Sequence, residues 1–269
     1  MNDKERPIGI LDSGVGGLTV VKEMGTVLPK ENVLYFGDSK RMPYGNRREE
    51  EIIHYANSMI AFLEAKGVKA ILLACNTVSS YIDQLKSKVP LFGIIEAGCL
   101  AADEVSTEDQ IGLIATVATV ESGVYDKTME KIDRSKRLIS NNSKKLPQVI
   151  NDQLKHSYLL NKHIQECIDP ILEKGEIREL ILGCSHFPII EKEISEIYPG
   201  LRLINPARRQ VELLEQFLEE QGWLNERPKR RIEVYTTART KEFELVLERL
   251  GILQYELKKV ALLEEDDNE

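Results

Sequence analysis

A chain of 269 residues, 42% hydrophobic and 30% charged, has the length for one large or two ordinary domains and the apolar content for a real core. Its net charge of −8 argues against nucleic acid as the main partner, and no apolar stretch approaches the roughly 18 residues of a membrane span. The N-terminus, MNDKERPIGI, lacks signal-peptide character, so the cytoplasm is expected, and four cysteines without a CxxC pair are expected as free thiols rather than disulfides or zinc ligands.

The first predicted element is a strand over 8–11, ending on Asp12-Ser13-Gly14-Val15-Gly16-Gly17 ahead of a helix from Leu18. Strand, glycine turn and helix open an α/β unit, and such a helix start offers backbone N–H groups to an anion such as a carboxylate. No Gly-Lys-Ser/Thr follows, so this is not a P-loop, and Thr19 takes the third glycine position of a dinucleotide fingerprint. A second strand over 33–36 ends on Gly37-Asp38, and the loop Arg41-Met42-Pro43-Tyr44-Gly45 is expected to display Tyr44. The spacing of Ile52, Ile53, Ala56, Met59, Ile60 and Leu63 predicts a helix over 49–65, on which His54 and Tyr55 have no chemical role. Two short basic runs, Arg47-Arg48 and Lys229-Arg230-Arg231, are flanked by Glu and read as solvated faces.

KAILLACNTVS at 69–79 is an apolar run that delivers Cys75, Asn76 and Thr77 in succession. A helix over 79–88 and a strand over 91–95 are expected next. IGLI at 111–114 restarts the pattern of IGIL at 8–11, with Thr116-Val117-Ala118-Thr119 where Asp12-Ser13 stood. ELILGCSHF at 179–187 then repeats the apolar run and its thiol, with Cys184 falling 109 residues after Cys75. The distance from Ile8 to Cys75 is 67 residues and from Ile111 to Cys184 is 73, so the chain reads as two α/β halves of similar plan. Between the repeats, a helix is expected over 121–132 and a polar patch over 141–145. A long helical stretch over 148–174, broken before Pro170, places His156, His163 and Cys167 in core or surface roles. Beyond Cys184 the pattern gives a helix over 189–197, a strand over 201–204, a helix over 211–221, a strand over 231–235 and a helix over 241–250. An acidic tail over 264–269 is expected to be disordered.

Alternation of strand and helix predicts a mostly parallel sheet in each half, with ligands at the carboxyl ends of the strands. Asp12, Cys75, Thr116 and Cys184 all fall at such ends. A thiol has a reference pKa of about 8.5 and can be tuned, so one thiolate and one thiol on opposite faces of a carbon can invert it without a cofactor. The plain alternative is that both cysteines are small buried residues capping strands. His186, two residues past Cys184, can orient or protonate it, or be a satisfied core histidine; Asp12 can serve Cys75, or merely close an Asx turn.

These motifs resemble the glutamate racemases of the aspartate/glutamate racemase family. The resemblance lies in DSGVGGLTV at 12–20, GD with R-x-PYG over 37–45, ACNT at 74–77, LGCSHFP at 182–188 and YTTA with Phe243. It implies an α/β protein of two pseudo-symmetric doubly wound domains, the first discontinuous (1–97 plus 208–269) and the second spanning 98–207. It further implies Cys75 and Cys184 as acid/base thiols, assisted by Asp12 and His186. Asp12, Ser13, Tyr44, Gly45, Asn76, Thr77, Ser185 and His186, with Thr119, would hold the substrate's ammonium and carboxylates. No cofactor or metal, a homodimer, an amino-acid substrate and a supply of D-glutamate for peptidoglycan complete the implication. Ser185 stands where the family has threonine. Ile150 stands where a glutamate assists catalysis, leaving Asp152 as a conceivable substitute. Ala115-Thr116 and Ala118-Thr119 replace glycine-threonine pairs, and Asn205-Pro206 replaces an Asp-Ser segment. These departures all lie in the second half and keep two other readings open: a racemase of another acidic amino acid such as aspartate, and a binding protein without catalysis. A cysteine hydrolase is disfavoured, since neither cysteine has a hydrolase nucleophile context.

Overall fold

The computed structural model describes residues 2–153, 158–227 and 230–262. The first series is β1 (Ile8–Asp12), α1 (Leu18–Val27), β2 (Val33–Gly37), α2 (Glu49–Ala65), β3 (Ala70–Leu73), the single-turn α3 (Asn76–Ser79) and β4 (Leu91–Gly93). The second begins with α4 (Ile94–Val105), β5 (Gln110–Ala115), α5 (Val117–Glu121), α6 (Val124–Ile132) and β6 (Arg137–Asn142). It continues with α7 (Leu146–Gln153), α8 (Tyr158–Leu172), β7 (Glu179–Gly183), α9 (Glu191–Ile197) and β8 (Arg202–Ile204). The chain then runs through α10 (Pro206–Gln221), β9 (Ile232–Thr236), α11 (Thr240–Arg249) and β10 (Glu256–Lys259).

One sheet has the order β10-β9-β2-β1-β3-β4 and the other β6-β5-β7-β8, all pairings parallel. The blocks β2-β1-β3-β4 and β6-β5-β7-β8 are one arrangement used twice. In each, the first strand is internal, the second lies to one side and the third and fourth to the other. The winding therefore reverses between β1 and β3 and again between β5 and β7, the switch points at which open parallel sheets bind ligands. β1, β2, β3 and β7 are buried along their whole length, which is why they read as continuous apolar runs rather than alternating ones.

A single apolar cluster runs from Ile8, Ile10 and Val21 to Ile114, Leu180 and Phe187, so the two sheets share core. α10 packs on both α1 and α4 and buries Val211, Leu214 and Leu218. Each such leucine contributes about 2 kcal/mol of burial, which fixes this bridging helix against both series.

Several elements differ from the sequence reading. The helix expected over 79–88 stops at Ser79, with one further 3₁₀ turn at Ile82–Gln84. Side chains of α2 take the backbone donors there: Asn57 accepts from the Lys86 N–H at 2.8 Å, and Glu64 accepts from the Lys88 N–H and the Ser87 hydroxyl. β4 ends at Gly93, and Ile94-Ile95 opens α4 rather than prolonging the strand; an apolar run that short fits either element. The expected helix over 121–132 is split by Gly123, whose φ of 63° begins α6. Part of the polar patch belongs to β6, a half-exposed edge strand. Pro170 stays within the last turn of α8, and the Glu166 carbonyl that it cannot bond accepts from Asn141 Nδ2 at 3.4 Å. β10, charged on an edge, was not expected. Arg230 is half-buried rather than solvated and donates to the Val21 carbonyl at 3.1 Å. His163 pairs with Glu166, and Cys167 is core. His156, Lys229 and the acidic tail lie outside the described residues.

Candidate active site

All four strand ends at the two switch points converge on one cavity of about 20 Å³, lined by Ser13, Cys75, Asn76 and Thr77 from the first series and Thr116, Cys184, Ser185 and His186 from the second. Met42, Pro43, Tyr44 and Gly45 close one side and Pro147 contributes another wall. The close approach explains two glycines: a Cβ on Gly16 would come within 2.7 Å of the Ser185 carbonyl carbon, and one on Gly45 within 2.8 Å of Thr116 Oγ1.

Cys75 follows β3 and caps α3; Cys184 follows β7, and both are 5% exposed. The Cys75 thiol donates to Ser13 Oγ at 3.6 Å. Burial, then the nearby Asp12 charge, pushes it up to about 11, with the Val78 N–H and Ser13 pulling back. Cys184 Sγ lies 3.8 Å from His186 Nδ1. Burial, helped by the charges of Cys75 and Asp12, drives this thiol still further above the ordinary thiol range. Both are therefore held toward the protonated form at neutral pH.

Asp12 closes β1, fully buried, and accepts from the Gly14 N–H at 2.8 Å. Burial raises its carboxyl to about 6, against the pull of the Ser185 hydroxyl and the Gly14 and Gly17 N–H groups. Tyr35 secures the same turn, donating to the Gly14 carbonyl at 2.7 Å. His186 is lowered to about 4 by burial, which leaves a neutral imidazole, and no described residue bonds its Nε2.

Between the series the hydroxyls of Thr77, Thr116 and Thr119 form a triangle with sides of 3.0, 2.9 and 3.3 Å. Thr116 accepts from the Thr119 N–H as the cap of α5. Tyr44 turns its hydroxyl away from the cavity to donate to Asp38 at 2.6 Å; Asp38 also accepts from Thr237 and pairs with Arg41. This buried carboxylate ties down the loop that covers the site.

Residues 8–214 match the family described as Asp/Glu/hydantoin racemase. The chain is 37% identical over 244 residues to glutamate racemase 2 of Caldanaerobacter subterraneus subsp. tengcongensis, covering 90% of itself and 92% of that protein. The chain belongs to the Asp/Glu/hydantoin racemase family. Among solved members, glutamate racemase isoform RacE1 from Bacillus anthracis superposes with a TM-score of 0.90 at 33% identity, covering 96% of this chain and 98% of that one. The Francisella tularensis glutamate racemase, solved with D-glutamate, gives a TM-score of 0.86 at 31% identity over the same shares of the two chains.

Of the residues singled out from sequence in this racemase family member, Cys75, Cys184, Ser13, Tyr44, Gly45, Asn76, Thr77, Ser185 and His186 line the cavity. Asp12 and Thr119 do not line it; they touch Gly14 and Thr116, which stand beside or on the wall. Asp152 is exposed, accepts from Gln148 at 3.2 Å and does not line the cavity. Ile150 is buried in the apolar core. Met42, Pro43 and Pro147 are lining residues that the sequence reading did not assign, and Thr116, placed from sequence at a ligand-side strand end without a binding role, lines the cavity as well. Thr116 was legible from its strand end, whereas Pro147 gave no local signal.

Among the described residues, no helix is long and apolar enough to cross a membrane, and no group of three or more His, Cys, Asp or Glu side chains could hold a metal ion.

Proposed function

We propose that this protein interconverts L- and D-glutamate by moving the Cα proton between Cys75 and Cys184. The observation that carries the reading is the pair of buried thiols at equivalent strand ends of a duplicated fold, on the wall of one cavity, each beside its own acid/base group. The solved relative that holds D-glutamate and the curated relatives named glutamate racemase support the choice of substrate.

Inversion needs a base on one face of Cα and an acid on the other. Burial holds both thiols toward the protonated form, so the reaction has to make a thiolate. The substrate's ammonium lowers a neighbouring thiol, and Asp12 beside Cys75 and His186 beside Cys184 accept the released proton. One thiolate then takes the Cα proton, the C–H pair delocalises into the α-carboxylate, and the opposite S–H returns a proton to the other face. The second cysteine is left as thiolate, and the reverse reaction exchanges the roles, so the chain's own groups balance the reaction.

In this reading the lobes 1–97 with 208–269 and 98–207 each contribute one thiol. Ser13, Asn76, Thr77, Ser185 and the backbone of Gly45 hold the ammonium and carboxylates, Thr119 braces the Thr77 and Thr116 hydroxyls, and Tyr44 walls the site. A cavity of about 20 Å³ is far too small for an amino acid, so the Met42–Gly45 loop or the lobes must part to admit it. A cytoplasmic homodimer that supplies D-glutamate for peptidoglycan belongs to the same proposal. Circular dichroism of the purified protein with each enantiomer of glutamate and aspartate tests it. Loss of optical rotation with either glutamate enantiomer is expected. Activity on aspartate alone would move the substrate, and glutamate binding without Cα exchange would leave a non-catalytic binder.

A further inference from the structure

Tyr125 sits on α6, in the second series, with 1% of its surface exposed, and its hydroxyl donates to Asn76 Oδ1 at 2.7 Å. Asn76 belongs to α3, in the first series, and lines the cavity, so this bond crosses from one lobe to the other. Both ends of the tyrosine are held. The Cys99 thiol donates to its carbonyl at 3.6 Å, and a Cβ on Gly98 would stand 3.1 Å from the hydroxyl oxygen, so α4 packs directly against it.

An amide has one acceptor end and one donor end, and a buried O–H must find an acceptor. Reversing Asn76 would aim the tyrosine proton at an NH₂ group and leave it unpaired. With Oδ1 held, the Nδ2 end is the one left over: it is buried, and no described residue accepts from it. We infer that Tyr125 is a positioning residue that fixes the polarity of Asn76, so that this wall presents a donor to a carboxylate of the substrate. The inference rests on the cavity being the glutamate site. It also explains how a neutral side chain selects a carboxylate over the ammonium: the choice is made in the other lobe. Burial keeps the Tyr125 hydroxyl protonated, so the bond persists across the working pH range.

The test compares wild type, Tyr125→Phe, Asn76→Ala and the double variant by racemisation kinetics and thermal midpoint. Tyr125→Phe is expected to raise KM for glutamate about tenfold with a smaller change in kcat, as for loss of one oriented donor to a charged group. In the Asn76→Ala background the same change is expected to move KM by less than about twofold, because no amide remains to orient. Equal effects in the two backgrounds, or an unchanged KM in the single variant, would overturn the inference. Asn76→Asp provides a check that leaves Tyr125 intact. It keeps the bond but turns the donor into a charged acceptor, and should raise KM more than Asn76→Ala does; a smaller rise would count against the assignment. Wild type that neither racemises nor binds glutamate defeats the functional reading instead, and this inference with it.

Discussion

At the Cys75 end of the cavity the neighbouring titratable group is a carboxyl, Asp12, at the tip of β1; at the Cys184 end it is an imidazole, His186, two residues beyond the thiol. The backbones are equivalent, since β1-β3 and β5-β7 are the same switch point used twice. The side chains are not, and the departures from the glutamate racemase pattern lie in the second series, where Ile150 is core and Asp152 faces solvent. Burial nevertheless pushes both groups toward their neutral forms, Asp12 up to about 6 and His186 down to about 4. Duplication of a fold copies positions; the proton chemistry at each position is chosen separately.

The most severe way to break the comparison is to remove one thiol at a time. Cys75→Ser and Cys184→Ser should each lower racemisation by about 10³-fold or more, since one face of Cα loses its acid/base group. Deuterium wash-in from D₂O should survive on one enantiomer in each variant, and on opposite enantiomers in the two. Wash-in on the same enantiomer in both would show that the thiols do not face each other.

Next come the helpers. Asp12→Asn and His186→Asn should each reduce kcat by about 10²-fold, the lower range for a positioned general base. The larger loss of kcat should fall on opposite reaction directions, read at saturating L- and D-glutamate, since an equilibrium constant of one keeps kcat/KM equal in the two directions. Equal losses in both directions would mean that the two groups are not dedicated to separate thiols.

Stability against pH sharpens the same contrast. Asp12 holds its proton in the folded state up to about pH 6 but loses it near 3.8 when unfolded, so its contribution is complete below that lower value and is lost as pH rises through 6. His186 runs the other way: it binds a proton at 6.5 when unfolded but only near 4 when folded, so its contribution is present above 6.5 and is lost as pH falls through 4. Each amounts to at most about 3 kcal/mol, and between roughly pH 4 and 6 they oppose. Differences from wild type in denaturant midpoint isolate each contribution across that window. Relative to wild type, His186→Asn should lose stability as pH rises from about 4 to 6, and Asp12→Asn should gain it.

Much of this was legible because the informative residues sit at the ends of continuous apolar runs: IGILD before Ser13, AILL before Cys75, ELILG before Cys184. Strands buried on both faces announce themselves, and a polar residue or thiol one or two positions past each falls on the ligand side. What stayed hidden was set by partners distant in sequence. β6 and β10 are edge strands whose half-exposed or charged residues carry no apolar signal. Beyond the short α3, Asn57 and Glu64 of α2 accept from the backbone donors of Lys86 and Lys88, where a continued helix was expected. Tyr125 gains its meaning from an amide 49 residues earlier. Thr116 and Thr119 both looked like site hydroxyls, and only packing put Thr116 on the wall and Thr119 against it.

The smallest expected effect is a control at the Cys184 end. Asp152→Asn should change kcat/KM by less than about twofold, as for an exposed side chain outside the site. A large loss would restore Asp152 as a catalytic group.

The central claim, two opposed thiols serving one carbon, is tested most directly by starting wild type from L-glutamate in D₂O and measuring Cα deuterium in both enantiomers early in the reaction. The account predicts D-glutamate that is almost fully deuterated while the remaining L-glutamate keeps its proton. Equal labelling of the two enantiomers, as from a single base working on both faces, or D-glutamate carrying the original proton, would contradict it.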